Sequence, residues 1–80
     1  MKQDVRALVG EIANLAVPLT ELDDESNLFE AGMSSLEVVT LVVALERKYG
    51  FRFDQNAMCI DAFRSIASIS DAVAKARGHA

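Results

Sequence analysis

Two adjacent serines, Ser34 and Ser35, are the residues of this 80-residue chain whose type and position could support chemistry. They follow Gly32 and come directly before the longest apolar run, so we interpret them as a helix start. Ser34 suits the N-cap position, because its side-chain oxygen can accept hydrogen bonds from the free amides of the first turn. Ser35 would then be the first helical residue, with an outward-facing hydroxyl that the cap does not use.

A phosphate ester on Ser35 would lie at a favourable place for an anion. The first N–H groups of a helix have no partner within the helix, and the helix dipole adds positive potential at the same end. Glu37 falls in this first turn, where negative charge is favoured. Gly32 would let the backbone turn tightly and let a partner enzyme come close. The spacing alone leaves a simpler interpretation open, in which the two serines are only a cap and its neighbour.

The helix start belongs to a longer pattern of large apolar residues, glycine and serine. The pattern consists of Leu28-Phe29, then Gly32-Met33-Ser34-Ser35-Leu36, then the apolar segment from Val38 to Leu45. It resembles the acyl carrier protein family, whose attachment motif is glycine, any residue, usually aspartate, the modified serine, and leucine or isoleucine. The resemblance extends over nearly the whole chain. It implies that Ser35, flanked by the motif residues Gly32 and Ser34, carries a 4′-phosphopantetheine arm whose thiol holds cargo as a thioester.

One position departs from the family motif, because Ser34 stands where the aspartate is usual. Serine caps a helix about as well as aspartate, so we expect the fold to be unaffected. A negative charge is nevertheless lost next to the modification site. The open question is how readily a generic phosphopantetheinyl transferase would recognise this site.

The composition indicates one small globular domain that comprises residues 1–80. Hydrophobic residues make up 51% of the chain, which argues against disorder, and the net charge of −4 disfavours nucleic acid as a partner. We expect no secretory signal peptide, because the N-terminus is polar and charged, and no membrane span, because no apolar stretch is long enough. The single cysteine, Cys59, cannot form an internal disulfide, which favours a cytoplasmic location.

Apolar periodicity predicts an all-α four-helix domain with three longer helices and one short helix III. This is the bundle that the resemblance to acyl carrier proteins implies, with a long loop between helices I and II. Pro18 is expected to close helix I, and Gly50 to end helix II. Leu28 and Phe29 would pin the long loop to the bundle. The predicted helices are helix I from Gln3 to Ala16, helix II from Ser35 to Tyr49, helix III from Asn56 to Asp61, and helix IV after Ser65, ending at Gly78.

Helix II carries apolar residues on two opposite sides. The stripe expected to face the core consists of Val38, Leu41, Val42, Leu45 and Tyr49. Because a small bundle cannot easily cover both sides of one helix, we expect the second stripe (Leu36, Val39 and Val43) to be partly exposed and to serve as a docking surface. The simpler alternative is that the long loop or helix III covers it. The residues predicted to bind a partner are Leu36, Glu37, Val39, Thr40, Val43 and Arg47.

Helix II also departs from the family in its charge. Fatty-acid-type carriers usually display several acidic residues on this helix to basic partners. Here Thr40 and Arg47 occupy positions where acids would be expected, whereas Glu37 and Glu46 are retained. We therefore expect recognition to depend more on apolar contacts and on the arm itself. This departure makes an aminoacyl carrier, loaded by an amino-acid-activating ligase, a serious option beside fatty-acid or polyketide carriage.

The sequence contains no residue pattern typical of an enzyme. The only histidine, His79, lies in a tail expected to fray, and neither metal-ligand spacing nor a nucleophile with a neighbouring base is found. We therefore expect a monomeric carrier that presents its cargo to other enzymes and does not catalyse a reaction itself. The resemblance implies as partners a phosphopantetheinyl transferase, a ligase or acyltransferase that loads the cargo, and downstream transferases.

Two alternatives to a discrete carrier stay open. An unmodified helical interaction module would use Leu36, Val39 and Val43 to bind a partner helix. A carrier-like fragment of a larger synthase would share the motif, although Met1 and the absence of linker-like ends favour a discrete protein. Fatty acyl, polyketide, peptidyl and aminoacyl cargo are all compatible with the pattern.

Overall fold

The computed structural model describes residues 1–53 and 60–78. Within these residues the protein is all-helical, as predicted, and contains no strand. The predicted short helix III around Asn56 to Asp61 lies mostly outside the described residues. The elements are α1 (Lys2–Ile12), a 3₁₀ helix (Leu19–Glu21), α2 (Ser35–Tyr49), a second 3₁₀ helix (Ile60–Phe63) and α3 (Ile66–Gly78).

Helix α1 ends at Ile12, four residues before the predicted end at Ala16. Ala13 is already extended, with φ −85° and ψ 135°. The next amides donate to distant groups: Asn14 N to the Glu37 carboxylate at 2.9 Å, and Ala16 N to the Ala31 carbonyl at 2.7 Å. The prediction that Pro18 closes the helix is therefore wrong, because tertiary hydrogen bonds terminate it first.

The long connection between α1 and α2 is fastened to the rest of the domain, as expected. Leu28 is fully buried, and its amide donates to the Arg64 carbonyl at 2.7 Å. Further back in the loop, the Asp24 carbonyl accepts from Ala67 N at 2.8 Å. Leu19, Leu22 and Phe29 are half-buried and pack against the core. The loop that precedes the two serines therefore has a defined position.

The core lies between the three α-helices and takes residues from each of them. Phe53 is buried, and its ring packs edge-on against Phe63 with the ring centroids 5.7 Å apart. The buried apolar residues of the helices are Val5 and Val9 of α1, Leu41, Val42 and Leu45 of α2, and Ile66, Ile69 and Val73 of α3. The inner stripe predicted for helix II thus faces the core, with Val38 and Tyr49 at its margins.

Helix α3 begins after Ser65, as the sequence predicts. The Ser65 hydroxyl accepts from Ser68 N at 3.0 Å, and the Ser68 hydroxyl accepts from Ser65 N at 3.0 Å. This reciprocal arrangement satisfies two amides at the helix start. It also fixes the segment whose Arg64 carbonyl holds Leu28, and so it supports the loop that leads to Ser35.

Candidate functional site

Helix α2 begins with a complete capping box around the two serines. Ser34 is extended (φ −96°, ψ 163°), and its hydroxyl accepts from Glu37 N at 3.2 Å. In return, the Glu37 carboxylate accepts from Ser34 N at 2.9 Å. Ser35 is the first residue of α2 and is exposed, and its hydroxyl has no hydrogen-bond partner among the described residues. As predicted, Ser34 therefore caps the helix, and the Ser35 hydroxyl is exposed and not used by the cap.

Gly32 turns the chain towards Ser34 in a conformation that other residues rarely adopt, with φ 117°. A Cβ added there would lie only 3.2 Å from Ala16 N and 3.5 Å from the Asn14 carbonyl oxygen. Gly32 was singled out because it could let a partner enzyme come close. The close approach observed is to the chain's own backbone at residues 14–16.

The Glu37 carboxylate connects the start of α2 to the end of α1. One oxygen accepts from Ser34 N, and the other accepts from Asn14 N, both at 2.9 Å. These backbone hydrogen bonds, first that of Ser34 and then that of Asn14, hold the pKa of Glu37 below its usual value. Glu37 was predicted to bind a partner, but both of its oxygens already hold the two segments together.

The turn that leads into the site is organised by Asn27. Its side-chain oxygen accepts from Phe29 N at 2.9 Å and from Glu30 N at 3.1 Å. Met33 N then donates to the Leu28 carbonyl at 3.0 Å, and the Met33 side chain is buried. The predictions made from the sequence did not assign this role to Asn27. Its preference for capping turns of its own backbone was the available signal.

The second apolar stripe of α2, which consists of Leu36, Val39 and Val43, is exposed, as predicted. We call it the outer stripe. Leu36 is 77% exposed, Val39 58% and Val43 44%. Thr40 and Arg47 are exposed on the same side, since residues three, four, seven and eleven positions apart share one face of a helix. Five of the six residues predicted to bind a partner thus share one face. Glu37 points instead towards α1, where its carboxylate contacts Asn14.

Residues 3–73 match the family model described as the phosphopantetheine attachment site. The chain belongs to this family of carrier proteins. Phosphopantetheine is accordingly the prosthetic group of the domain. The match extends from the second residue of α1 to the middle of α3, so it includes the whole of the site described above.

Relatives of this carrier domain are known in agrobacteria. The aminoacyl carrier protein of Agrobacterium fabrum is 30% identical over 73 residues, which are 91% of this chain and 88% of the relative. The carrier domain also resembles a solution structure of an Agrobacterium tumefaciens protein, with a TM-score of 0.73, 28% identity and full coverage of both chains.

A more similar solved structure is a crystal structure of an engineered Bradyrhizobium japonicum glycine:[carrier protein] ligase in complex with an Agrobacterium tumefaciens carrier protein and AMP. The match has a TM-score of 0.85 and 30% identity, and it covers 91% of this chain and 97% of the matched chain. Because an 80-residue chain covers almost all of it, the matched chain is the small carrier and not the ligase.

The residues around Ser35 suit a covalently attached phosphopantetheine. In the capping box, the amides of Ser34 and Glu37 are used, and Val38 N donates to the Ser34 carbonyl. The amides of Ser35 and Leu36 have no partner in the described part of the carrier domain. Two free N–H groups at a helix N-terminus, next to an exposed hydroxyl, favour a phosphodiester at that hydroxyl.

Among residues 1–53 and 60–78, no three histidine, cysteine, aspartate or glutamate side chains are grouped so that they could hold a metal ion. None of the described helices has the length and apolar character needed to cross a membrane. Cys59 and His79 lie outside the described residues.

Proposed function

We propose that the chain is a discrete aminoacyl carrier protein whose 4′-phosphopantetheine arm is attached to Ser35. The observation that carries the proposal is the exposed Ser35 hydroxyl at the start of α2, left free because Ser34 and Glu37 form the cap. Amino-acid cargo is supported by the 30% identity to the Agrobacterium fabrum aminoacyl carrier protein. It is also supported by the likeness to a carrier in complex with a glycine ligase.

The residues around Ser35 would hold the attachment point still while the arm moves. The capping box keeps Ser35 at the helix terminus, and the free amides of Ser35 and Leu36 favour the negative charge of the phosphodiester. Gly32 and Glu37 hold the preceding loop against residues 14–16. When attached, the group supplies the thiol on which the cargo is carried.

The function proposed for the chain is tethering and not catalysis. A tethered substrate meets each partner at a high effective concentration, because the second encounter takes place within one complex. The proposed partners are a phosphopantetheinyl transferase, an amino-acid-activating ligase and a downstream transferase. The proposed architecture is the four-helix bundle of the family, in which Ile60–Phe63 would lie at the end of short helix III.

A second candidate is an unmodified interaction module that binds through the outer stripe of α2. It is favoured by one observation, the 77% exposure of Leu36. The two candidates differ in whether Ser35 must be modified for the protein to act in the cell. They are separated by testing for the modification directly.

The testing experiment is the intact mass of the purified chain after incubation with coenzyme A and a promiscuous phosphopantetheinyl transferase. We expect the wild type to gain one phosphopantetheine group and Ser35→Ala to gain none, because no other serine is a free hydroxyl at the start of α2. Ser26→Ala is the matched control, since Ser26 lies in the preceding loop and bonds to Asp23. A gain in Ser35→Ala would contradict attachment at Ser35.

Ser34→Asp tests what the departure from the family motif does. If the wild type gains nothing with several transferases but Ser34→Asp does, the missing aspartate explains the failure. If neither is modified, the interaction module becomes the better account.

Modified protein is then incubated with ATP and radiolabelled amino acids in the presence of amino-acid ligases. Label that hydroxylamine releases identifies a thioester and therefore the cargo.

A further inference from the structure

A groove of about 320 Å³ lies at the C-terminal end of α2. We call it the Arg47–Arg52 groove. It combines apolar and charged side chains and includes Val43, the last residue of the exposed outer stripe. The groove is lined by Val43, Glu46, Arg47, Phe51 and Arg52.

The shape of the groove is set by Glu46. Its backbone carbonyl accepts from Gly50 N at 2.9 Å and from Phe51 N at 3.2 Å. Its carboxylate accepts from Phe53 N at 2.9 Å. Three hydrogen bonds accepted by Glu46 therefore hold the turn that brings Phe51 and Arg52 back beside α2. Among the described residues that line the groove, the one acid is therefore already engaged in supporting that turn.

The two arginines of the groove are not engaged in this way. Both are exposed, and the salt bridges found in the described residues use Arg6 and Arg64 instead. Among the described lining residues, Arg47, Arg52 and Glu46 together carry two positive charges and one negative charge. A guanidinium presents a planar set of donors that matches a carboxylate, so an exposed pair of arginines suits an acidic ligand.

A simpler explanation accounts for only one of these cations. Basic residues in the last turn of a helix are favoured by the helix dipole, and Arg47 and Lys48 occupy that turn. Lys48 also lies over the Tyr49 ring, 5.9 Å from its centroid. Arg52 is beyond the left-handed turn at Gly50, so the dipole of α2 does not explain its position.

The groove continues the surface that begins at Ser35. Arg47 is twelve residues after Ser35, which corresponds to about 18 Å along a helix axis. Leu36, Val39 and Val43 cover the interval with apolar surface. An interface with an apolar centre and a charged margin is the usual arrangement between proteins. A protein that binds this face therefore meets apolar side chains near Ser35 and positive charge at the far end.

We propose that the Arg47–Arg52 groove binds an acidic side chain of the amino-acid ligase that loads the carrier. An adjacent apolar side chain of the ligase packs between Val43 and Phe51. The acidic residue lies about 18 Å, measured along α2, from the attachment point. This proposal rests on the proposed function, because it assigns the loading partner of the same site. It reverses the polarity of fatty-acid-type carriers, which usually display acidic residues on this helix to basic partners.

The test is loading of the modified chain by the Bradyrhizobium japonicum glycine:[carrier protein] ligase. Intact mass first establishes that each variant carries phosphopantetheine. Arg47→Glu/Arg52→Glu is then compared with Lys2→Glu/Lys75→Glu, whose two lysines are exposed on α1 and α3. Both double variants change the net charge from −4 by the same four units. The comparison thus separates position from overall charge.

We expect Arg47→Glu/Arg52→Glu to raise KM for the carrier by about tenfold while kcat changes by less than about twofold. The lysine control should stay within about twofold of the wild type in both constants. Arg47→Gln/Arg52→Gln, which introduces no repulsion, should raise KM by about threefold. In this variant, KM should also respond less to added salt than in the wild type.

Three results would overturn the proposal. The first is an equal KM for the arginine and lysine double variants. The second is a modified wild type that the ligase does not load under conditions in which it loads the Agrobacterium carrier. The third is wild-type self-association that Arg47→Gln/Arg52→Gln abolishes, which would assign the groove to a second copy of the chain. Absence of modification at the first step would instead contradict the proposed function.

Discussion

Gly32 and Glu37 connect the start of α2 to the backbone of residues 14–16. Gly32 does so by close packing, since a Cβ would lie 3.2 Å from Ala16 N. Glu37 does so by charge, since its carboxylate accepts from Asn14 N and Ser34 N. Neither residue needs to touch the phosphopantetheine for this purpose. Their contribution is to fix where the Ser35 hydroxyl lies.

Glu37→Gln should destabilise the domain in a pH-dependent way. The folded state lowers the pKa of Glu37, so its stabilisation is present above the unfolded pKa of a glutamate, about 4.3, and is lost as the pH falls through the lower folded value. Urea denaturation should show a larger difference between wild type and Glu37→Gln at pH 7 than at about pH 3. Glu11→Gln, at an exposed position of α1, is the control. If Glu37→Gln lowered the free energy of unfolding equally at both pH values, the ionised Glu37 carboxylate would not be the source of the stabilisation.

Gly32→Ala should lower the free energy of unfolding by about 2 kcal/mol, because it forces a side chain into a positive-φ conformation with no free space. Gly50→Ala shares the positive φ but has nothing within 4 Å, so its cost should be smaller. Gly78→Ala, at the end of α3, should be neutral or slightly stabilising. Denaturant titrations of the three variants check this order. A Gly32→Ala domain as stable as Gly78→Ala would refute it.

At the scale of the element, α2 has one face that packs in the core and another that is exposed. Leu41, Val42 and Leu45 are buried, whereas Leu36 and Val39 project outward. The helix is held at both ends by local signals, the capping box at Ser34 and the left-handed Gly50. One helix can therefore serve both the core and a partner, because the face that stabilises the fold is not the face left for docking.

Leu41→Ala and Leu36→Ala should separate the contribution of α2 to stability from its contribution to partner binding. Leu41 is 1% exposed, so its truncation should cost about 2–5 kcal/mol of unfolding free energy. Leu36→Ala should change the free energy by less than about 0.5 kcal/mol, but it should weaken binding to the loading ligase. Urea denaturation measures the first effect, and KM for the carrier measures the second. A strongly destabilised Leu36→Ala would mean that the outer stripe belongs to the core.

At the scale of the whole molecule, Arg6 joins α1 to the long loop, and Asp24 joins that loop to α3. From α1, its guanidinium donates to the Leu19 carbonyl at 3.1 Å, to the Leu22 carbonyl at 2.9 Å and to the Asp24 carboxylate at 2.8 Å. The Asp24 carbonyl in turn accepts from Ala67 N of α3. The long loop is thus attached to the first and the last helix, which makes it part of the cooperative unit.

Arg6→Met should lower the free energy of unfolding by about 1–2 kcal/mol, because it leaves two backbone carbonyls and one carboxylate without their donor. Far-UV circular dichroism and Tyr49 fluorescence should still report one shared transition. Lys2→Met, which removes an exposed charge from the same helix, should change stability little. Two separated transitions in the wild type would contradict a single cooperative unit.

The features predicted correctly from the sequence are those set by neighbouring residues. The bounds of α2, its cap at Ser34, its end at Gly50 and the start of α3 all depend on contacts within about four residues. The exposure of Leu36, Val39 and Val43 followed from helical periodicity, since one small bundle cannot bury two opposite faces. Local chemistry and periodicity were sufficient for these predictions.

Other features were decided only by the tertiary structure. Helix α1 ends early because the Asn14 and Ala16 amides bond to groups 15 to 23 residues away. Glu37 acts within the fold because the end of α1 comes beside it. The Arg47–Arg52 groove exists because the chain turns at Gly50 and returns along α2. Each depends on which segments meet in space, and sequence spacing carries no direct signal of such contacts.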